Sequence, residues 1–179
     1  MTQNDVHPAK AHYSQLPISF HIATSQDIQL LEWRGEYAHL RKVFRRALMH
    51  QHRGRRLLWV ARYKNYPIGR LFVLLKSPNS VVADGMHRAY LYSFRVMDEF
   101  QGMGIGTQLM ELAETYLIEQ GFEIATIAVA KTNYAALRLY HHRGYKIFTE
   151  NTGEWEYYDH LNQLRKVMEP CWMLEKALG

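Results

Sequence analysis

A chain of 179 residues and 21.1 kDa, 47% hydrophobic and 22% charged, has the composition of an ordinary globular protein and the length of one domain. Its formal charge of +5 and pI near 9.3 favour an anionic partner, without choosing among nucleotide, nucleic acid and acidic protein. The single cysteine, Cys171, excludes an intramolecular disulfide and a cysteine-rich zinc site, and no stretch approaches the roughly eighteen apolar residues of a membrane span.

In chain order, residues 1–16 are polar and are expected to form a flexible segment ahead of one domain over 17–179. The stretch has no apolar run of a secretory signal, so a reducing cytoplasm is the expected location. Ile18 to Ala23 alternates apolar and polar residues as a strand does, and Thr24, Ser25 and Asp27 start a short helix through Leu31. From Glu36 the spacing turns helical, with Tyr37, Leu40, Phe44 and Leu48 on one face. Leu57–Tyr63 and Ile68–Leu75 flank the turn-forming KNYP and read as a hairpin, followed by a loop over Ser77–Gly85. Arg88–Met97 is strand-like. The glycine-rich FQGMGIG leads into a helix carrying Ile105, Leu109, Leu112, Ala113 and Tyr116 inward and stopping at Gly121.

Phe122–Ala130 is almost wholly apolar, as a strand covered on both faces would be, and completes a parallel βαβ unit. A short helix over Asn133–Arg143 is closed by Gly144, and Tyr145–Phe148 and Cys171–Leu178 give two further strands. Between them, Thr149–Pro170 reads as a long polar and aromatic insert. The class is α/β or α+β with a mixed sheet.

Glycine lets the backbone approach a ligand closely and adopt positive φ, and a helix beginning just after such a loop offers unpaired N–H groups to an anion. A dinucleotide fingerprint, G-x-G-x-x-G, fails at Thr107 or at Leu109 according to which glycine starts the count. A P-loop fails too, because Gly106 is followed by Thr107 and Gln108. The pattern that fits is Q-x-x-G-x-G, met by Gln101, Gly104 and Gly106. Further along, N-x-x-A-x-x-L-Y-x-x-x-G-Y is met by Asn133, Ala136, Leu139, Tyr140, Gly144 and Tyr145.

On these two motifs the chain resembles the GCN5-related N-acetyltransferase family. The resemblance implies a central, mostly antiparallel, splayed mixed sheet flanked by helices. It also implies an acetyl-CoA-dependent N-acetyltransferase, with acetyl-CoA as co-substrate, no metal, and a primary amine of a small molecule or protein as acceptor. The loop of Gln101, Gly102, Met103, Gly104, Ile105, Gly106 and Thr107 would cradle the pyrophosphate. Backbone groups of Phe94, Arg95 and Val96 would meet the pantetheine arm, and one of their N–H groups would polarise the thioester carbonyl. Asn133 would touch that arm and cap its helix, and Tyr140 would be the general acid that protonates the departing thiolate. A side chain at Gly104 or Gly106 would hold the phosphate away. The alternatives are protein N-terminal or lysine acetylation, and a non-catalytic acyl-CoA-binding or regulatory module.

Ribosomal-protein alanine acetyltransferases of the family carry a glutamate where this chain has Ala128, a departure that counts against that substrate class. Glu32, Glu36, Glu154, Glu156, Asp159 and His160 fall in segments that commonly wall the acceptor pocket in the family, and for any single one of them a solvated surface role is the favoured expectation. The basic run Arg41–Arg56 keeps its apolar residues on a separate stripe rather than interleaved, so a solvated helix face is expected there and nucleic acid binding is not. Trp155, Tyr157 and Tyr158 of the insert offer aromatic faces to a cationic amine, to the neighbouring strands, or to a second chain in a homodimer.

Overall fold

The computed structural model describes residues 16–179, and the flexible segment expected over residues 1–16 falls, but for Leu16, outside them. Nine strands and four helices follow in the order β1 (Ile18–Ile22), α1 (Ser25–Leu30), α2 (Arg41–His52), β2 (Arg56–Tyr63), β3 (Tyr66–Leu74), β4 (Arg88–Val96), α3 (Ile105–Glu119), β5 (Ile124–Ala130), α4 (Tyr134–His142), β6 (Lys146–Asn151), β7 (Glu154–Tyr158), β8 (Leu164–Met168) and β9 (Cys171–Ala177). A seven-stranded sheet runs β1-β2-β3-β4-β5-β9-β6, and β7-β8 form a separate two-stranded sheet. Every pairing in the large sheet is antiparallel except that of β4 with β5. The expected α/β architecture with a mostly antiparallel mixed sheet is therefore the observed one.

Two cores form because the central strands have two buried faces. Leu57, Leu71, Val73 and Leu91 pack with Leu109, Met110, Ala113 and Leu117 of α3 on one face. Leu58, Val60 and Phe72 pack with Ile28, Leu31, Phe44 and Ala47 of α1 and α2 on the other. Alternation along β2 and β3 sends successive residues to opposite helix layers. Each fully buried Leu or Phe contributes about 1.5–3 kcal/mol. Helix α1 is anchored by Asp27, whose buried carboxylate accepts from Thr24 N at 2.7 Å, Thr24 Oγ1 at 2.9 Å and Arg62 Nε at 2.6 Å.

Three expectations change in detail. The long helix starts at Arg41 rather than Glu36, because Trp33, Arg34 and Gly35 have positive φ (44°, 60° and 100°) and two 3₁₀ turns, Trp33–Gly35 and Ala38–Leu40, precede it. The β2–β3 turn is the two-residue Lys64–Asn65, with φ of 48° and 63°, which matches the hairpin twist and leaves Pro67 inside β3. The insert, read from the sequence only as polar and aromatic, carries strands of its own. Its first residues extend β6, and the β7–β8 hairpin pairs Glu154 with Met168 through Tyr158 with Leu164. No described helix is long and apolar enough to cross a membrane.

Candidate active site

Strands β4 and β5 pair from Arg88↔Ile124 to Leu91↔Ile127, and beyond that register they part. The divergence starts beside a bulge in β4. Residue pairing with β3 shifts between Arg70 and Phe72, and Ser93 takes a left-handed φ of 51°. Together these leave β4 from Tyr92 onward without a strand neighbour on the β5 side. The gap opens into a cleft of about 1010 Å³ lined by Phe94, Arg95, Val96, Ala128, Asn133 and Tyr140, among others, with the glycine loop at its mouth.

The loop puts Gly102 and Gly104 at φ of 76° and 79°, a left-handed conformation that other residues rarely adopt. Gly104 caps α3, so the first unpaired N–H groups of that 15-residue helix face the cleft mouth. A Cβ on either glycine would meet nothing within 4 Å, so the space above the loop is open. Gly106 differs from the expectation that its missing side chain makes room for phosphate. A Cβ there would come within 3.0 Å of Phe94 Cζ, so the residue serves the packing of α3 on β4. Gln101 is committed inside the loop, its Nε2 donating to Val96 O at 3.1 Å and Asp98 Oδ1 at 2.8 Å. Gln101, Gly102, Gly104, Ile105, Gly106 and Thr107 line the cleft, whereas Met103 does not and is about half exposed. Ile105 turns its side chain into the core and offers only backbone.

Tyr140, on α4, is buried at 5% exposure with its ring 6.3 Å from that of Phe94. Burial pushes its phenol well above the ordinary range, and Tyr90 pushes it the same way, while the positive charge of Arg95 pulls it down. The neighbouring Tyr145 is engaged elsewhere. Its hydroxyl donates to Glu114 Oε1 at 3.0 Å, within a buried network that also holds Arg143 and Lys176. Asn133 caps α4 by accepting from Ala136 N at 3.1 Å, as expected.

A second cleft of about 1070 Å³ lies between α2, the sheet and the β7–β8 hairpin, and shares Tyr37, Tyr90, Arg95, Ala128 and Glu169 with the first. The expected acidic residues divide here. Glu32 is held by a two-pronged pair with Arg41 at 2.5 and 2.7 Å, and Asp159 accepts from Leu161 N, Gln163 N and Arg165 within the hairpin turn. Glu36 lines the first cleft, Glu154 and Glu156 line the second, and His160 lines neither. The basic run divides too. Arg41 pairs with Glu32, while Lys42, which also bonds Asn162, lines the second cleft with Arg46 and Arg56 instead of forming only a solvated face.

The sequence reading missed Glu169, Tyr90, Tyr92 and Arg70. Tyr90 and Tyr92 stack at 5.9 Å on the floor between the clefts, and burial raises both phenols, that of Tyr90 to about 12. An arginine in the middle of the apolar IGRLFVLL was the available signal for Arg70.

A family model described as Acetyltransferase (GNAT) family matches residues 24–145. An uncharacterized N-acetyltransferase of Archaeoglobus fulgidus is 42% identical over 50 residues, 28% of this chain and 34% of that relative, so the match spans about a third of the relative's length. Among solved structures, an N-acetyltransferase from Staphylococcus aureus Mu50 superposes with TM-score 0.70 at 13% identity, covering 90% of this chain and 99% of that one. Arabidopsis thaliana NAA60 in complex with acetyl-CoA superposes at 0.67 and 16% identity, covering 90% and 98%. The structural likenesses are of fold.

Proposed function

The chain belongs to the GNAT acetyltransferase family, and from that premise we propose that it transfers the acetyl group of acetyl-CoA directly to a primary amine. The observation that carries the reading is the joint position of three features in one cleft: the open β4–β5 gap, the glycine-capped start of α3 at its mouth, and buried Tyr140 at its wall. The fold neighbour NAA60 was solved with acetyl-CoA, and the open space over Gly102 and Gly104 suits a pyrophosphate.

Acetyl-CoA supplies an acyl thioester, whose acyl carbon gains the C–N bond as its C–S bond breaks. The chain supplies position, polarisation and a proton. N–H groups at the head of α3 hold the phosphates. Backbone donors of Phe94, Arg95 and Val96, free of a strand on the β5 side, orient the arm and polarise the carbonyl. Tyr140 is protonated at neutral pH, as any phenol is, and its position on the cleft wall makes it the donor for a leaving thiolate. The amine approaches from the second cleft, where Glu154, Glu156 and Glu169 are the carboxylates placed to accept its proton, directly or through water, with Glu36 on the side of the first cleft. The lone cysteine is consistent with a reducing cytoplasm.

Thermal unfolding with acetyl-CoA, CoA, NAD and ATP tests the reading. A ligand at a hundred times its Kd stabilises the native state by about 2.7 kcal/mol. A midpoint rise with acetyl-CoA and CoA alone supports it, followed by thiol release with an amine panel. No rise with either CoA compound at saturation overturns it.

A further inference from the structure

Four side chains that are charged at neutral pH are buried among the described residues: Asp27, Arg70, Glu114 and Asp159. Three have charged partners. Asp27 pairs with Arg62, Glu114 with Arg143 and Lys176, and Asp159 with Arg165. Arg70, at 1% exposure, forms no ion pair among the described residues. Its Nε donates to Ser93 Oγ at 3.2 Å, and its Nη1 has no partner among the described residues. A buried charge without a counterion costs several kcal/mol, so an arrangement that leaves one in place calls for a compensating group.

What surrounds Arg70 holds it in position without neutralising it. The guanidinium carbon lies 4.3 Å from the ring centre of Tyr37, 4.7 Å from Trp33 and 5.0 Å from Phe44. Two of these supports have strained backbone, Trp33 at φ 44° and Ser93 at φ 51°, and such conformations cost about 1–3 kcal/mol each and gather at ligand sites. Burial lowers the guanidinium to about 10, with Tyr37 opposing, and it stays charged at neutral pH. The surrounding charges are mostly of the same sign. Arg95 stands directly opposite on β4, and Arg56 lies over the Tyr92 ring with its Nε unpartnered. Glu36 reaches Arg70 through its field but forms no pair with it. Arg70 lines the second cleft, which meets the first at Arg95, beside Tyr140.

We propose that Arg70 is an oxyanion-recognition subsite of the acceptor cleft, so that the amine acetylated by this protein carries a carboxylate. A planar guanidinium with a free N–H edge matches a planar carboxylate by charge-assisted hydrogen bonds. The carboxylate would supply the counterion that the fold withholds. The cleft's own carboxylates, Glu154, Glu156 and Glu169, then face the ammonium end of the same molecule. This inference rests on the acetyl-transfer reading and adds the acceptor class to it.

The test uses ω-amino acids from glycine to 6-aminohexanoate, each beside its carboxamide, with O-phosphoethanolamine as a phosphate-bearing amine. Binding to the CoA-saturated full chain is read by calorimetry, and turnover with acetyl-CoA by thiol release. At least one acid should bind ten-fold more tightly than its carboxamide and more tightly than O-phosphoethanolamine. In Arg70→Met that ratio should fall to near one while the CoA-induced midpoint shift persists. Equal binding of acids and carboxamides by the unmodified protein overturns the proposal, as does tighter binding of O-phosphoethanolamine than of any acid. A ratio that survives in a folded Arg70→Met also overturns it. The comparison on the unmodified protein stands even if that variant does not fold. Loss of the CoA shift in the unmodified protein would strike the acetyl-transfer reading instead, which keeps the two failures apart.

Discussion

A Cβ placed on Gly106 would lie 3.0 Å from Cζ of Phe94. The contact fixes how closely α3 approaches β4, and hence how the helix start faces the β4–β5 gap. Gly106→Ala forces the ring or the helix aside. Overpacking of this kind costs about 1–3 kcal/mol, which urea unfolding would register as a lower midpoint with unchanged slope. The midpoint shift given by CoA should shrink in the same variant. An unchanged stability would mean that the Phe94 ring turns freely and that the contact does not set the helix position.

Tyr140→Phe keeps the ring packing against Phe94 and removes the proton. General acids contribute about 10²–10⁴-fold, and we expect kcat to fall by about 100-fold with an unchanged CoA-induced midpoint shift. A non-catalytic acyl-CoA module would be indifferent to the change. Thiol release in single turnover separates the two.

The phenols of Tyr90, Tyr92, Tyr140 and Tyr145 are all raised, with burial as the leading cause in each. Each binds its proton more tightly folded than unfolded, so the stabilisation they give is intact below pH about 10 and is lost as pH rises from there toward the folded values. Of twelve tyrosines, these four should be silent at 295 nm until the protein unfolds in alkali, and then ionise together. A smooth titration of all twelve near pH 10 in the folded protein would contradict their burial.

Acid acts at the start of α1. For Asp27, burial alone would raise the carboxyl, but hydrogen bonds from Thr24 and Arg62 outweigh it and the net direction is down. Burial followed by the Arg62 charge lowers His21, whose Nε2 is 3.5 Å from Asp27. Both folded values lie below the unfolded ones, so stability declines as pH falls, first below about 6.5 and again below about 4. Asp27→Asn leaves Arg62 without its counterion and should cost about 3–5 kcal/mol at pH 7, flattening the acid limb of a pH–stability curve.

Gly153, at φ 67°, closes the neck of the β7–β8 hairpin, where a Cβ would stand 1.8 Å from the carbonyl oxygen of Glu169. No rotamer relieves a clash with backbone, so Gly153→Ala displaces the hairpin that walls the second cleft. KM for the amine should rise at least ten-fold while the CoA midpoint shift stays as it was. A matched loss of CoA binding would show that the hairpin supports both clefts.

The readable part of this molecule is local. The glycine loop, α3, buried β5 and the Asn133 cap lie within one continuous stretch whose apolar period and capping residues announce each element. Arg70 and its surroundings could not be read in that way, because Trp33, Tyr37, Phe44 and Ser93 come from a 3₁₀ turn, the link after it, α2 and β4, and meet only when α2 folds onto the sheet. The left-handed turn at Trp33–Gly35 gave no warning either, since tryptophan and arginine seldom adopt positive φ. By contrast, Glu154-Trp155-Glu156-Tyr157 alternates as a strand does, a signal that the reading of the segment as only a polar and aromatic insert passes over.

The parallel ladder between β4 and β5 runs for four registered pairs and stops. A sheet normally has two edges, yet this one carries two more in its interior, one on each side of the gap. The strands on either side, β1–β4 and β5–β9–β6, are joined along the ladder only at its closed end. A ligand whose own amides bonded to Tyr92–Val96 would serve as a short substitute strand and brace that joint from the open end. Amide exchange along the open side of β4 would then slow on CoA binding, and the two portions of the sheet would resist unfolding as a unit only when the ligand is in place.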